Sequence, residues 1–532
     1  MSQTERGPGG TVSPDGARFL NWRVALGCLA VSAIAVAGFA GPAQADTSAP
    51  LKRGHGKVIP NEYIVVLNDG ADGSAVARRN SVNPKFVYST ALDGFSGTLT
   101  KAQLAKIRKD PAVKYVEPNA EASINDKSKP PTDQKSVSRK PSELRPTVQT
   151  SDVSVKTVQP GATWGLDRID QRTGTNGTYA YTDTGAGVTA YVLDTGILTS
   201  HTQFGGRAVV GYDAIRDGRN GQDCNGHGTH VAGTIGGSTY GLAKGVRLVA
   251  VRVLGCSGSG SWAGIIAGID YVTYTRSGAS VANMSLGGGY NQAVNDAVAR
   301  STARGVTHVV AAGNDNLNAC NYSPASAPSA ITVAATTRSG SSDVRASYSN
   351  WGPCVDVFDP GSSITSAWWT STTATAVLSG TSMASPHVAG QAALFLQGNP
   401  YGAPGTVDDV IKSMSVTGIV VDPGSGTPNR FARKWVGSVS GTGANSYQPD
   451  GAYWYQANAG YVQGWLAGTP GTDPDLYLER WNGSAWVYLS GSASTTPRER
   501  VVVNVPGNSY YRFRVYAYSG GGTYDVTTNH PV

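Results

Sequence analysis

The chain has 532 residues, too many for one ordinary domain, with 68 glycines, 15% charged residues and a formal net charge of +7. Residues 1–157 hold 21 Lys/Arg against 14 Asp/Glu, and the remainder holds 22 of each. The basic excess is confined to the N-terminal part, which excludes an electrostatic case for nucleic acid or an anionic membrane in the rest of the chain.

The N-terminus reads as a signal peptide over 1–45. Arg18 and Arg23 supply positive charge, residues 24–40 are an apolar core, and Ala43-Gln44-Ala45 is a small-x-small cleavage site. The apolar run is too short and too glycine-interrupted for a membrane span, so no membrane is expected after processing. Export leaves four cysteines, Cys224, Cys256, Cys320 and Cys354. An even count in an oxidising setting predicts two disulfides, with three possible connectivities.

Residues 58–123 form the first folded unit. Strands are predicted over 63–67, 95–99 and 113–117 and helices over 71–80 and 101–109, a small α+β domain. Residues 124–157 are rich in Pro, Ser, Thr and Lys and lack aromatic residues, a disordered linker by composition. The mature N-terminus is expected between 150 and 162.

Residues 158–436 alternate apolar strands with helices: 188–193, 227–235, 248–254, 262–274, 281–286, 293–304 and 307–312. That alternation predicts an α/β fold with a doubly wound, mostly parallel sheet. A Gly/Ser linker is expected over 437–447. Residues 448–532 change to short β runs, at 452–457, 461–466, 476–481, 501–505, 510–518 and 523–527, which predict a β-sandwich. Trp454, Trp465, Trp481 and Trp486 are read as its core.

The chemistry lies in three motifs. Ala190-Tyr-Val-Leu-Asp-Thr-Gly196 reads as a buried parallel strand with Asp194 at its carboxyl end. Asn225-Gly-His-Gly-Thr-His-Val-Ala-Gly233 places His227 at the start of a small-residue helix. Gly380-Thr-Ser-Met-Ala-Ser-Pro-His-Val-Ala-Gly390 places Ser382 at a sharp turn before a helix, with Pro386 in its first turn. A serine there can attack a carbonyl, a histidine can take and return its proton, and an aspartate can hold the imidazole tautomer. A zinc reading of His-Gly-Thr-His would need a glutamate base. Residues 157–437 contain no glutamate, which also excludes a serine carboxyl protease.

These motifs, with Asn-Met-Ser-Leu-Gly-Gly-Gly and Ala311-Ala-Gly-Asn314, resemble the subtilisin-like serine proteases, in particular the proteinase K and aqualysin branch. The resemblance covers about 163–435. It implies a secreted, autoprocessed serine endopeptidase, monomeric and acting on polypeptides. Asp194, His227 and Ser382 would form the triad and Asn314 would donate to the oxyanion. Gly258-Ser259-Gly260 and Ser285-Leu286-Gly287 would flank an extended peptide as added strands, giving broad selectivity. Ala311, Ala312 and Gly313 resemble walls of the first specificity pocket, which implies apolar or aromatic residues before the cut. Trp262 resembles the lining of a more distant subsite. The implied disulfides are Cys224–Cys256 and Cys320–Cys354. Structural Ca²⁺ is implied at Asp356 with the carbonyls of Pro328 and Ala330, and at Asp167, Asp170 and Gln171. Residues 58–123 resemble the inhibitor prodomain of such proteases, with the tail near 119–123 in the cleft. Residues 448–532 resemble the bacterial pre-peptidase C-terminal domain, on Asp473-Pro-Asp-Leu-Tyr-Leu and Tyr518-Ser-Gly-Gly-Gly-Thr-Tyr-Asp525.

Overall fold

The computed structural model describes residues 48–124, 157–449 and 451–530. The expected signal peptide lies outside the described residues, as do residues 125–156 of the expected linker.

The N-terminal domain runs β1 (Val58–Leu67), α1 (Gly73–Arg79), β2 (Phe86–Tyr88), β3 (Gly94–Thr98), α2 (Lys101–Ile107) and β4 (Val113–Ser123). Its antiparallel sheet has the order β4-β1-β3-β2. Val65, Phe95 and Val116 from the sheet pack against Val76 and Ile107 from the helices. Helix α2 starts where the pattern predicts because Thr100 and Gln103 close a capping box.

The central domain contains β5 (Thr189–Asp194), β6 (Ala208–Asp213), α3 (His227–Gly236), β7 (Arg247–Arg252), β8 (Ser259–Ser261), α4 (Trp262–Thr275), β9 (Ser280–Met284), α5 (Gln292–Ala303), β10 (Thr307–Ala311), β11 (Ile331–Ser339), β12 (Val357–Pro360), α6 (Thr381–Gly398) and α7 (Pro404–Met414). Its main sheet is parallel in the order β12-β11-β10-β9-β5-β7-β6. The strands are apolar on both faces because helices cover both. Val192 of β5 joins a cluster with Val231 of α3 and Val388 of α6. Its neighbours Tyr191 and Leu193 join another with Ile265 of α4 and Val298 of α5. Strand order reverses at β5, between β9 and β7, so a crevice opens at their carboxyl ends.

Two disulfides close loops around this crevice, Cys224–Cys256 and Cys320–Cys354. Each contributes roughly 3–4 kcal/mol by restricting the unfolded chain.

The C-terminal domain is built from β13 (Trp435–Val439), β14 (Asn445–Gln448), β15 (Trp454–Gln456), β16 (Gly460–Gly468), β17 (Asp473–Trp481), β18 (Trp486–Ser492), β19 (Arg498–Val505), β20 (Ser509–Ser519) and β21 (Gly522–Asn529). One sheet has the order β13-β21-β16-β19, the other β14-β20-β17-β18 with β15 beside β20. The stretch 437–447, expected as a linker, instead supplies strands to both sheets. Its small residues are a packing requirement: a Cβ at Gly437 would come within 2.3 Å of the Tyr524 hydroxyl. Trp454 and Trp465 pack against the core. Trp481 and Trp486 pair on the outer side of their sheet, with ring centroids 5.5 Å apart and the Arg512 guanidinium over Trp486.

This domain docks firmly on the central one. Lys434 Nζ lies 3.2 Å from Asp525 Oδ2, Arg498 Nη2 lies 2.6 Å from Asp183 Oδ1, and Phe395 meets Trp465 edge to face. Apolar residues of both domains form one continuous cluster.

Candidate active site

Asp194 is the last residue of β5, at the switch point, and is fully buried. His227 is the first residue of α3, and its Nδ1 lies 2.8 and 2.9 Å from the two carboxylate oxygens of Asp194. Asp223 fixes the two segments relative to each other. It accepts from the Thr195 hydroxyl, from the backbone N–H groups of Asn225, Gly226 and Thr229, and from the Thr229 hydroxyl. The Thr195 hydroxyl in turn accepts from Gly228 N–H. Asp223 was not singled out in the sequence, although an aspartate just before a helix start is a capping signature.

Ser382 is the second residue of α6 and sits over the carboxyl end of β9, the strand beside β5. Its hydroxyl donates to the Ser285 carbonyl at 3.3 Å. Helix α6 begins at Thr381, so Pro386 falls inside the helix and not in its first turn as expected. Proline has no N–H for the carbonyl of Ser382, four residues back. The Ser285 hydroxyl supplies the missing donor at 2.8 Å, and itself accepts from Asn283 Nδ2 at 2.9 Å. The turn carrying the serine is thereby pinned to the end of β9.

Asn314 Oδ1 accepts from both the N–H and the hydroxyl of Thr381, at 2.8 and 2.9 Å. The side chain thus has a fixed orientation, with its donor nitrogen directed away from Thr381. Gly313, with φ of +102°, leaves room for Asn350, whose Nδ2 a Cβ there would meet at 2.3 Å. Asn350 braces the loop by donating to the Ala312 carbonyl and accepting from Asp315 and Leu317 N–H. Thr381 and Asn350 act through partners far along the chain, which no local pattern reveals.

Ser382, Asn314, Thr381, Ala311, Ala312, Gly313, Leu286, Gly287 and Ser259 line one cavity of 210 Å³. Asp315, absent from the expected pocket, also lines it and pairs with the Tyr322 hydroxyl. Trp262 is fully buried in a cluster with Leu286, Ala120 and Ala122.

The N-terminal domain reaches into this cleft. Residues 121–123 of β4 pair antiparallel with β8, Ser259 opposite Ser123 and Gly260 opposite Ala122. On the other side Ser123 and Gly287 exchange two backbone hydrogen bonds of 3.0 Å, and Ile124 N–H donates to the Gly258 carbonyl at 3.0 Å. β4 therefore extends past the predicted 113–117, because its last residues complete a sheet between two edges of the central domain.

Acidic groups on both sides fasten the rest of that contact, among them Asp93, which pairs with Arg300 at 2.8 Å. Asp270 accepts from Ser89, Thr90 and Ala91 N–H, Asp296 from the Tyr115 hydroxyl, and Glu117 from Gln292 and Ala293 N–H at the start of α5. Burial pushes the Glu117 carboxyl up to about 6 from its ordinary 4.5, against those N–H donors. A carboxyl whose pKa is higher in the bound state takes up a proton on binding. The affinity of the N-terminal domain should therefore fall as pH rises from 4.5 through 6, by up to about 2 kcal/mol, and level off above. Titration calorimetry of added N-terminal domain against the central domain checks this. Glu117→Gln should flatten that part of the profile, and an unchanged slope would refute the assignment.

His230 and His387 are structural. His230 Nε2 faces the Ile364 carbonyl and His387 Nδ1 the Pro360 carbonyl, and burial pulls them down to about 3 and about 4. His227 and His230 thus face different partners and form no metal pair.

The carboxylates expected to hold calcium have partners within the chain, and at Asp356 that partner is a cation. Asp167 accepts from Asn176 and Gly177 N–H, and Asp170 from Ala180 N–H and Gln171 Nε2, so these carboxylates fasten the 171–180 segment. Asp356 accepts from Thr332 N–H at 2.8 Å and pairs with Lys412 at 2.8 Å. Pro328 and Ala330 lie in the turn before β11, close to Thr332. Among the described residues no group of three or more His, Cys, Asp or Glu is placed to hold a metal ion.

The subtilase family model matches residues 185–434, and the peptidase inhibitor I9 model matches 62–125. The "Extracellular serine proteinase" of Thermus sp. (strain Rt41A) is 47% identical over 399 residues, spanning 70% of this chain and 89% of that protein. The chain belongs to the subtilase family. A further relative, "Subtilisin-like serine protease AsES" of Sarocladium strictum, is 43% identical over 417 residues, covering 76% of this subtilase and 97% of that protein. Among solved structures, a cold adapted subtilisin-like serine proteinase is 52% identical with a TM-score of 0.50, covering 51% of this chain and 98% of that one. The subtilase is an extracellular serine endopeptidase with an I9 inhibitor prodomain, on a subtilisin-like α/β fold. Among the described residues no helix is long and apolar enough to cross a membrane.

Proposed function

We propose that this subtilase cuts polypeptides through Ser382, His227 and Asp194. His227 takes the proton of the Ser382 hydroxyl as that oxygen attacks the scissile carbonyl. It then returns the proton to the leaving amine, and water hydrolyses the acyl-enzyme by the same relay. Asp194 holds the imidazole with Nδ1 protonated. The Ser382 N–H and the Asn314 amide receive the oxyanion. The observation that carries this reading is the buried pair of Asp194 at the end of β5 and His227 at the start of α3, beside the strand end that pins Ser382.

The backbone pairing of residues 121–124 supports the substrate reading. A peptide held between 258–260 and 285–287 is gripped by main-chain groups, so selectivity is broad. The small walls Ala311, Ala312 and Gly313 favour an apolar or aromatic residue before the cut, with Asp315 adding an acidic edge. The prodomain, residues 58–123, is the intramolecular inhibitor, and 158–436 is the catalytic unit followed by the β-sandwich. The signal at 1–45 directs export, and the mature enzyme works as a monomer. Of the two sets expected to hold structural calcium, the one at Asp167, Asp170 and Gln171 keeps oxygen lone pairs for it, whereas Asp356 is paired with Lys412.

A fluorophosphonate probe tests the assignment. The mature enzyme should label once, at Ser382, and peptide mapping that finds the label elsewhere or nowhere would overturn it. Cleavage of a peptide library then reads the preference before the cut.

A further inference from the structure

The carboxylate of Asp356 already has a cation. Lys412, in the last turns of α7, places Nζ 2.8 Å from Asp356 Oδ1 and 2.7 Å from Asp408 Oδ2, one helical turn earlier. The second oxygen of Asp356 accepts from Thr332 N–H in β11. One ammonium thus bridges two carboxylates on separate elements, the segment entering β12 and helix α7. The three side chains are only 20–28% exposed, so water screens them incompletely.

We propose that Lys412 does at this place the work of a bound divalent cation, as a positive charge tethered to the chain. A calcium ion needs oxygen ligands at about 2.3–2.6 Å. Bound to Asp356 it would stand close beside the ammonium, and repulsion between like charges opposes that. The two cations are therefore alternatives. A dissociable ion stabilises only to the extent that it is present in solution, whereas a lysine on the chain is always there. Helix α7 is fastened to β11 and β12 at any calcium concentration. The proposal does not depend on the catalytic assignment, because it concerns a contact remote from Ser382.

The experiment is thermal unfolding of the purified full chain, its serine blocked by a fluorophosphonate, in chelator and in millimolar calcium. Lys412→Met should lower the chelator Tm by about 2–4 °C or more, and calcium should recover most of the loss. Lys412→Arg should unfold with the wild type. Calorimetric titration gives a second reading. Lys412→Met should bind one more calcium than the wild type, and adding Asp356→Asn should abolish that extra ion. The proposal fails if Lys412→Met matches the wild-type Tm in chelator. It also fails if Asp356→Asn alone removes a calcium ion from the wild type.

Discussion

Ser382→Ala should leave the chain intact from the prodomain to the β-sandwich, with peptide hydrolysis reduced by about 10⁶ in turnover, the magnitude seen when the same group is removed from subtilisin. The expectation follows from the placement of the hydroxyl. Removing one oxygen takes away the only atom that can form the acyl bond, yet leaves the turn in place. The Ser382 carbonyl still accepts from Ser285, and Thr381 still donates to Asn314. The variant should therefore fold, bind its own tail between 258–260 and 285–287, and fail to release it. Mass spectrometry of the secreted protein checks both parts. Normal maturation of the variant would show that another protease performs the cut, and normal hydrolysis would remove Ser382 from the mechanism.

Asn314→Leu should lower turnover by roughly 10²–10³ while KM changes little, the range reported for subtilisin's equivalent oxyanion donor. A group that binds only the developing charge affects the transition state and not the ground state. Asn314 also accepts two hydrogen bonds from Thr381, so leucine removes a brace as well as a donor. Asn314→Asp separates the two roles. It keeps an acceptor for Thr381 but places a carboxylate where the amide stood. If donation to the oxyanion is the main role, Asn314→Asp should be at least as impaired as Asn314→Leu, with its unfolding temperature nearer the wild type. Activity closer to the wild type in Asn314→Asp would assign the residue to loop bracing alone.

The candidate site was legible because its chemistry sits in unbroken motifs at strand and helix ends. Asp194 closes a strand, His227 opens a helix and Ser382 lies in the first turn of another, and the apolar runs around them mark strands buried on both faces. The supporting groups were not legible. Asn350 acts on a loop about 35 residues earlier, and the links from Asp223 to Thr195 and from Lys412 to Asp356 join segments that no local pattern connects. Pro386 shows a related limit. Alone it marks a first helical turn, but Ser285, about a hundred residues earlier, satisfies the carbonyl it leaves bare and lets the helix start sooner. The stretch 437–447 read as a linker because glycine and serine carry no periodic signal. Its strands exist because β20 and β21 offer it backbone partners. The calcium expectation at Asp356 came from a ligand pattern that includes no lysine, and the pairing with Lys412 becomes visible only when α7 is folded against β11.

The inhibitor and the enzyme share one continuous sheet, running from β8 through β4 to β2. Before the first cut this sheet belongs to a single molecule, and its closure is independent of how dilute the sample is. After the cut the same contacts join two molecules, and their survival depends on concentration. Dilution then favours separation of the two, which an undivided chain does not allow.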